Sequence, residues 1–268
     1  MPIAFQHKPG LVAYLTIGDP DLKTSHEVAL AAIDAGADVI ELGVPFSDPV
    51  ADGPVIQRAS ERALQAGVTL VDVIEVGSEV RQLRPQTGLI VFSYLNPVLR
   101  FGIERFAEGA AAARLDGALI TDLTFEESGE YVSAMRAHDL ATVFLAAPTS
   151  TDQRLQMIAG ASRGFVYAVS RTGVTGTRQQ IASDAEQLVT RVRRFTALPV
   201  AVGFGISNSE QFQAVGGFAD AAVIGSAIVS LIEQHGRNSP KAVAEFIGGL
   251  REACPKEEGE KWISQIGE

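Results

Sequence analysis

The chain carries one cysteine, Cys254, in 268 residues, so no intrachain disulfide can form and packing alone has to hold the fold. Histidine is nearly as scarce. His7, His26, His138 and His235 show no ligand-like spacing to one another or to Cys254, so no histidine or thiolate metal centre is expected, although a carboxylate-only site escapes this test. Positive charge is also short. With 22 Lys and Arg against 32 Asp and Glu, the formal net charge of −10 is the wrong sign for a general nucleic-acid or anionic-membrane footprint. The one basic cluster, "RVRRF" at 191–195, reads as the solvated face of a helix. No apolar run approaches the roughly 20 residues needed to cross a bilayer, and the opening "MPIAFQHKPG" lacks the long apolar core of a secretory leader. The expectation is a cytoplasmic protein with no nucleic-acid or membrane partner.

What is present is a composition able to bury a core: 46% hydrophobic and 20% charged residues argue against disorder. Apolar segments rich in Val, Ile and Leu recur at 11–18, 38–44, 88–94, 117–122, 141–146, 164–170, 199–205 and 221–226. Most are continuous rather than alternating, as parallel strands covered on both faces require. Helical patterns such as "SHEVALAAIDAGA", "EESGEYVSAMRAH" and "DAEQLVTRVRRF" lie between them, and the echoes "DAGAD", "RLDGA" and "GFADA" precede strands two, four and eight, where a helix ends on glycine and the next strand starts. Eight such units predict a (β/α)8 TIM barrel; an open doubly wound sheet is the alternative. No Pro/Ser-rich linker interrupts the series, so residues 1–268 are read as one TIM-barrel domain, with a lead-in at 1–10 and a peripheral charged tail at 252–268.

In such a barrel the loops at the carboxyl ends of the strands converge on one mouth, where active sites are built. Glu41 lies near the end of the second strand, in "DVIELGV", where a carboxylate risks losing its water and a stability-driven chain would place a valine or leucine. Asp52 follows in "VADGP". Each has a plainer reading: Glu41 as half of an internal salt bridge, and Asp52, just ahead of Pro54, as helix-start chemistry. Glycines supply the other half of the constellation. "SRTGVTG" follows strand six, "GFGISN" strand seven and "GSAIV" strand eight. Glycine loops after strands seven and eight with a helix N-terminus form the recurrent phosphate cradle of this fold, in which backbone N–H groups and the helix dipole hold the anion.

Together "YLTIGDPD", "ELGVPFSDPVADGPVIQRA", "YLNPVLRFG", "DLTFEES", "SRTGVTG" and "VGFGIS...GSAIV" resemble the tryptophan synthase alpha subunit family, in order from about residue 11 to 235. The resemblance implies a TIM-barrel carbon–carbon lyase that cleaves indole-3-glycerol phosphate to indole and glyceraldehyde 3-phosphate by a retro-aldol reaction. It also implies a partner, a pyridoxal-phosphate β subunit in an α2β2 heterotetramer, with no cofactor on this chain. By the motif match Glu41 is the general acid/base at the indole ring carbon and glycerol hydroxyl, and Asp52 accepts a hydrogen bond from the indole nitrogen. Gly176, Gly205, Gly225 and Ser226 would hold the phosphate. Tyr14, Tyr94, Leu119, Tyr167, Thr175 and Phe204 would line the indole and glycerol pocket, barrel core being their plainer reading, and the loop around Thr175 would close as a lid. The loop after strand two, including Pro49, would meet the β subunit.

Two departures from the family pattern stand out. Only "MPIAFQHKPG" precedes the first strand, where the family usually carries a longer amphipathic segment, so the closure of the barrel floor is open. The loop "TDLTFEES" lacks the prolines common there. The competing functions are a stand-alone lyase that releases free indole, another phosphate-binding barrel acting on a sugar phosphate, and an allosteric partner of a β subunit. Retention of both Glu41 and Asp52 argues against the last.

Overall fold

The computed structural model describes residues 3–169, 178–203 and 205–253. Its parallel strands are β1 (Gly10–Thr16), β2 (Val39–Gly43), β3 (Gly88–Ser93), β4 (Gly117–Ile120), β5 (Ala141–Val143), β6 (Leu145–Ala146), β7 (Val166–Val169), β8 (Val200–Gly203) and β9 (Ala221–Ile224). They form one sheet in the order β5-β4-β3-β2-β1-β9-β8-β7-β6. The two ends of that order are consecutive in the chain, joined only by Phe144, so the sheet comes round on itself as a barrel. The fifth predicted strand therefore appears as two short ones. Ala141–Val143 pairs with β4 and Leu145–Ala146 with β7, so the change of partner at Phe144 divides the ladder. The alternation of faces carries through undisturbed: Val143 and Leu145 belong to the barrel interior, whereas Phe144 packs outward under the helices.

Helices cover the outer face: α1 (Leu22–Asp34), α2 (Pro54–Gln65), α3 (Leu70–Leu83), α4 (Leu95–Phe101), α5 (Ile103–Ala112), α6 (Gly129–Ala137), α7 (Asp152–Ala161), α8 (Arg178–Val192), α9 (Ser209–Gly216), α10 (Ser226–His235) and α11 (Ser239–Glu252). Because every strand is covered outside by helices and filled inside by side chains, the apolar residues divide into two cores. The outer one joins Leu15, Ile40, Leu42 and Val91 to Phe106, Phe212 and Ile247. The inner one stacks Val12, Val39, Ile90, Leu119, Val143, Phe165 and Ala201.

The short lead-in closes the floor. Ile3, 4% exposed, belongs to the inner core, and Phe5 packs edge-on against Phe165 with ring centroids 5.9 Å apart. Asp38, buried at the start of β2, accepts hydrogen bonds from the backbone of Gln6 (2.9 Å) and Leu11 (2.8 Å) and from Arg251 of α11 (2.6 Å). Arg251 also donates to the carbonyls of Gly36 and Pro9. One buried carboxylate thus ties the lead-in, β2 and the last helix together.

The basic cluster at 191–195 is solvated at Arg193 and Arg194, as read, but only Arg191 lies in the helix and it is partly buried. Arg191 donates to Asp152 (2.8 Å) and to the Ser150 carbonyl (2.6 Å), while Arg193 lies beyond the helix end and pairs with Asp220 at 3.0 Å. Among the described residues no helix is long and apolar enough to cross a membrane. Residues 254–268 of the charged tail lie outside the described residues.

Candidate active site

Glu41 sits at the centre of β2, opposite Tyr14 of β1 and Ile90 of β3. It shares its face of the strand with Val39, two residues back, which belongs to the inner core, so its carboxyl group points into the barrel. Glu41 is 0% exposed, and neither carboxyl oxygen has a hydrogen-bond partner among the described residues. The salt-bridge reading therefore finds no partner there. Burial alone pushes the carboxyl up from 4.5 to about 8, because the charged form loses its water and gains no donor in return.

Asp52 lies in the loop between β2 and α2. The N-cap of α2 is Gly53, and Pro54 is the first helical residue, so Asp52 is not the cap that its sequence context suggests. Its Oδ2 accepts a hydrogen bond from the Tyr94 hydroxyl at 3.1 Å, and the same phenol oxygen accepts the backbone N–H of Ala51 at 3.0 Å. Burial raises the Asp52 carboxyl to about 6, against the opposing pull of the Tyr94 hydrogen bond. The two carboxyl groups thus sit on opposite sides of neutrality: near pH 7 Glu41 holds its proton and Asp52 has lost it.

A cavity of about 430 Å³ at the carboxyl ends of the strands brings Glu41, Asp52, Tyr14, Tyr167, Gly205, Gly225 and Ser226 together on its lining. Tyr94 and Leu119 are not on it. Tyr94 stands behind Asp52 with its ring 5.0 Å from that of Phe46, and Leu119 is in the inner core opposite Phe92 and Val143. Thr175, Gly176 and Phe204 lie outside the described residues. Phe92, Thr121 and Leu145 line the cavity without having been anticipated; Phe92, two residues past the inward-facing Ile90, was reachable from strand periodicity.

Two glycines make room for the phenols. A Cβ at Gly43 would stand 2.6 Å from the Tyr14 hydroxyl, and one at Gly203 would overlap the Tyr167 hydroxyl. Both phenols are held protonated, chiefly by burial and further by the neighbouring charge of Asp52. Beside Tyr14, α10 starts at Ser226 with Gly225 as a side-chain-free N-cap, which leaves its first N–H groups and the positive end of its dipole at the cavity lining. Gly205, at φ +66, adopts a backbone conformation that L side chains rarely take. No lysine, arginine or histidine is among the described lining residues, so an anion there would meet backbone amides rather than a cation.

The family model described as tryptophan synthase alpha chain matches residues 3–254. The chain belongs to that family. As a tryptophan synthase alpha chain it is a lyase of L-tryptophan biosynthesis, cleaving indole-3-glycerol phosphate to indole and glyceraldehyde 3-phosphate. It is 51% identical to the tryptophan synthase alpha chain of Solibacter usitatus over 87% of each chain. Among solved structures, a tryptophan synthase from Mycobacterium tuberculosis is 38% identical with a TM-score of 0.84, covering 92% of both chains. A tryptophan synthase complex from Pyrococcus furiosus is 35% identical with a TM-score of 0.82, covering 91% of this alpha chain and 98% of that one.

Proposed function

We propose that Glu41 and Asp52 divide the chemistry of the lyase reaction between them. The carboxyl of Glu41, protonated near neutrality, delivers its proton to the indole ring carbon that bears the glycerol chain. The ring becomes a cationic indolenine, and the Asp52 carboxylate accepts its N–H and offsets the charge. The Glu41 carboxylate then takes the proton of the adjacent glycerol hydroxyl as the carbon–carbon bond breaks. Those electrons return to the indole ring, the carbinol carbon becomes the aldehyde of glyceraldehyde 3-phosphate, and Glu41 ends protonated as it began. No water is consumed. The observation that carries this reading is a fully buried glutamic acid, without a hydrogen-bond partner among the described residues, facing the same cavity as an ionised aspartate and a helix N-terminus.

The phosphate is held by backbone groups of Gly205, Gly225 and Ser226, together with Gly176. Tyr14 and Tyr167 flank the indole and glycerol portions, and Tyr94 acts by holding Asp52. The chain works as one domain, carries no cofactor of its own and acts in the cytoplasm. Its partner is a pyridoxal-phosphate β subunit in an α2β2 assembly. The Pyrococcus furiosus relative is a tryptophan synthase complex, and on this chain the loop at Pro49 presents Val50 at 85% exposure, an apolar side chain suited to burial at an interface. The test is to supply indole-3-glycerol phosphate with and without a β subunit and assay indole and triose phosphate. Equimolar products are expected, and Glu41→Gln should lower turnover by about 10²- to 10⁴-fold while substrate still binds. Undiminished turnover in that variant would refute the assignment. Fast cleavage by the isolated chain would instead favour the stand-alone lyase.

A further inference from the structure

Helices α2 and α10 both start on the cavity lining, α2 at Pro54, two residues after Asp52, and α10 at Ser226. We infer that Asp19, Arg58, Arg62 and Glu233 form an ionic clamp that sets the distance between these two helix starts, making them positioning residues for a substrate gripped at both ends. The inference rests on the reading of the cavity given above, with indole at Asp52 and phosphate at the start of α10. Arg62 of α2 donates in parallel from Nε and Nη2 to the two oxygens of Asp19, each at 2.8 Å, and from Nη1 to Glu233 Oε1 at 2.9 Å. Arg58, one turn earlier, forks onto the same Glu233 of α10 at 2.8 and 2.7 Å. Two guanidinium groups from one helix therefore converge on one carboxylate of the other, and one of them reaches on to the loop after β1. Planar, two-pronged pairs of this kind fix orientation as well as separation.

Below the clamp Ala59 of α2 and Val229 of α10, both fully buried, pack in one cluster with Tyr14. Each helix is also coupled to its end of the site. Gln57, adjacent to Arg58, donates to the Asp52 carbonyl at 2.9 Å, and the Val229 N–H bonds the Gly225 carbonyl at 3.0 Å. A slide of α2 along α10 would therefore carry Asp52 away from the phosphate cradle. Arg58 and Glu233 have side chains 50% and 30% exposed, and ion pairs that wet contribute little to stability. Their effect should appear in the spacing of the site instead.

Calorimetric titration of the full chain distinguishes the two roles. The probes are inorganic phosphate, indole, and a two-headed analogue with indole and phosphate joined by a three-carbon chain, tested on the wild type, Glu233→Gln and Arg62→Lys. The clamp predicts that each fragment binds the variants within about twofold of wild type while the two-headed ligand weakens about tenfold, because the gain from linking two fragments depends on the spacing of their sites. The melting temperature of Glu233→Gln should move by only a few degrees, whereas Arg62→Lys, which loosens the pair to the buried Asp19, should cost more. Unchanged affinity for the two-headed ligand, or fragments that weaken as much as the whole, would overturn the clamp. Turnover of Glu41→Gln and Asp52→Asn is measured in parallel. Full activity there would overturn the reading of the cavity, and the clamp with it, whereas unchanged two-headed binding overturns the clamp alone.

Discussion

A carboxyl group is most costly where it is buried without a donor, and Glu41 has no donor among the described residues. Two predictions follow from its environment. Turnover should be bell-shaped in pH, falling below about 6 as Asp52 is protonated and above about 8 as Glu41 is deprotonated; Asp52→Asn should remove the acid limb, which a pH series of kcat/KM would show. Stability carries the second signature. In the unfolded chain Glu41 ionises from about 4.5, whereas in the folded protein it keeps its proton up to about 8. Across that window the native state binds the extra proton, so stability from this residue falls as pH rises. Glu41→Gln should therefore gain on the wild type progressively between pH 5 and 8, and urea denaturation at both pH values would detect it. A variant equally stable relative to wild type at both would show that the carboxyl is not held protonated. Glu41 was legible in the sequence because an acid inside an apolar strand is a local anomaly. Asp52 was ambiguous, since Asp-Gly-Pro is also what a helix start uses, and the decisive contact with Tyr94 spans 42 positions.

At the scale of strands and helices, the sites of the β-strands were readable because burial on both faces imposes continuous apolar runs. What that reading could not contain was the exchange of partners at Phe144, since apolar content is the same whether a strand pairs to its left or its right. The strand glycines were equally opaque. Gly43 and Gly203 look like turn or cradle residues in "ELGVP" and "VGFG", yet in the barrel each gives way to a tyrosine hydroxyl from the neighbouring strand. Gly43→Ala should force the Tyr14 ring aside, costing about 1–3 kcal/mol by overpacking and lowering turnover. Pairing it with Tyr14→Phe, which removes the hydroxyl but leaves the ring carbon and the Leu15 carbonyl oxygen, each 2.7 Å from the new Cβ, should recover only a minor part of the stability. Denaturation of the two variants would check this, and no recovery in the double variant would mean that the crowding lies elsewhere.

For the molecule as a whole, the buried Asp38 joins the two ends of the described chain. Arg251→Ala should cost about 3–5 kcal/mol, because it strips the guanidinium from a carboxylate that cannot reach water, and guanidinium denaturation would measure it. A loss below about 1 kcal/mol would show that the remaining partners of Asp38, the backbone N–H groups of Gln6 and Leu11 and the His7 ring at 2.8 Å, suffice without it. Gel filtration with a β subunit should show a shift at micromolar concentration that Val50→Asp diminishes; an unaltered shift would place the interface away from this loop.

The order of apolar runs, the glycines between them and one acid out of place determined the barrel, its active end and Glu41, because each of these is a local property with a period or a position along the chain. Only the folded molecule decided that Asp52 is held by Tyr94, that Ile3 and Phe5 pack at the floor of the inner core, and that Asp19, Arg58, Arg62 and Glu233 meet. Those depend on contacts between residues up to 242 positions apart, as between Pro9 of the lead-in and Arg251, and no local pattern records which distant side chain will arrive.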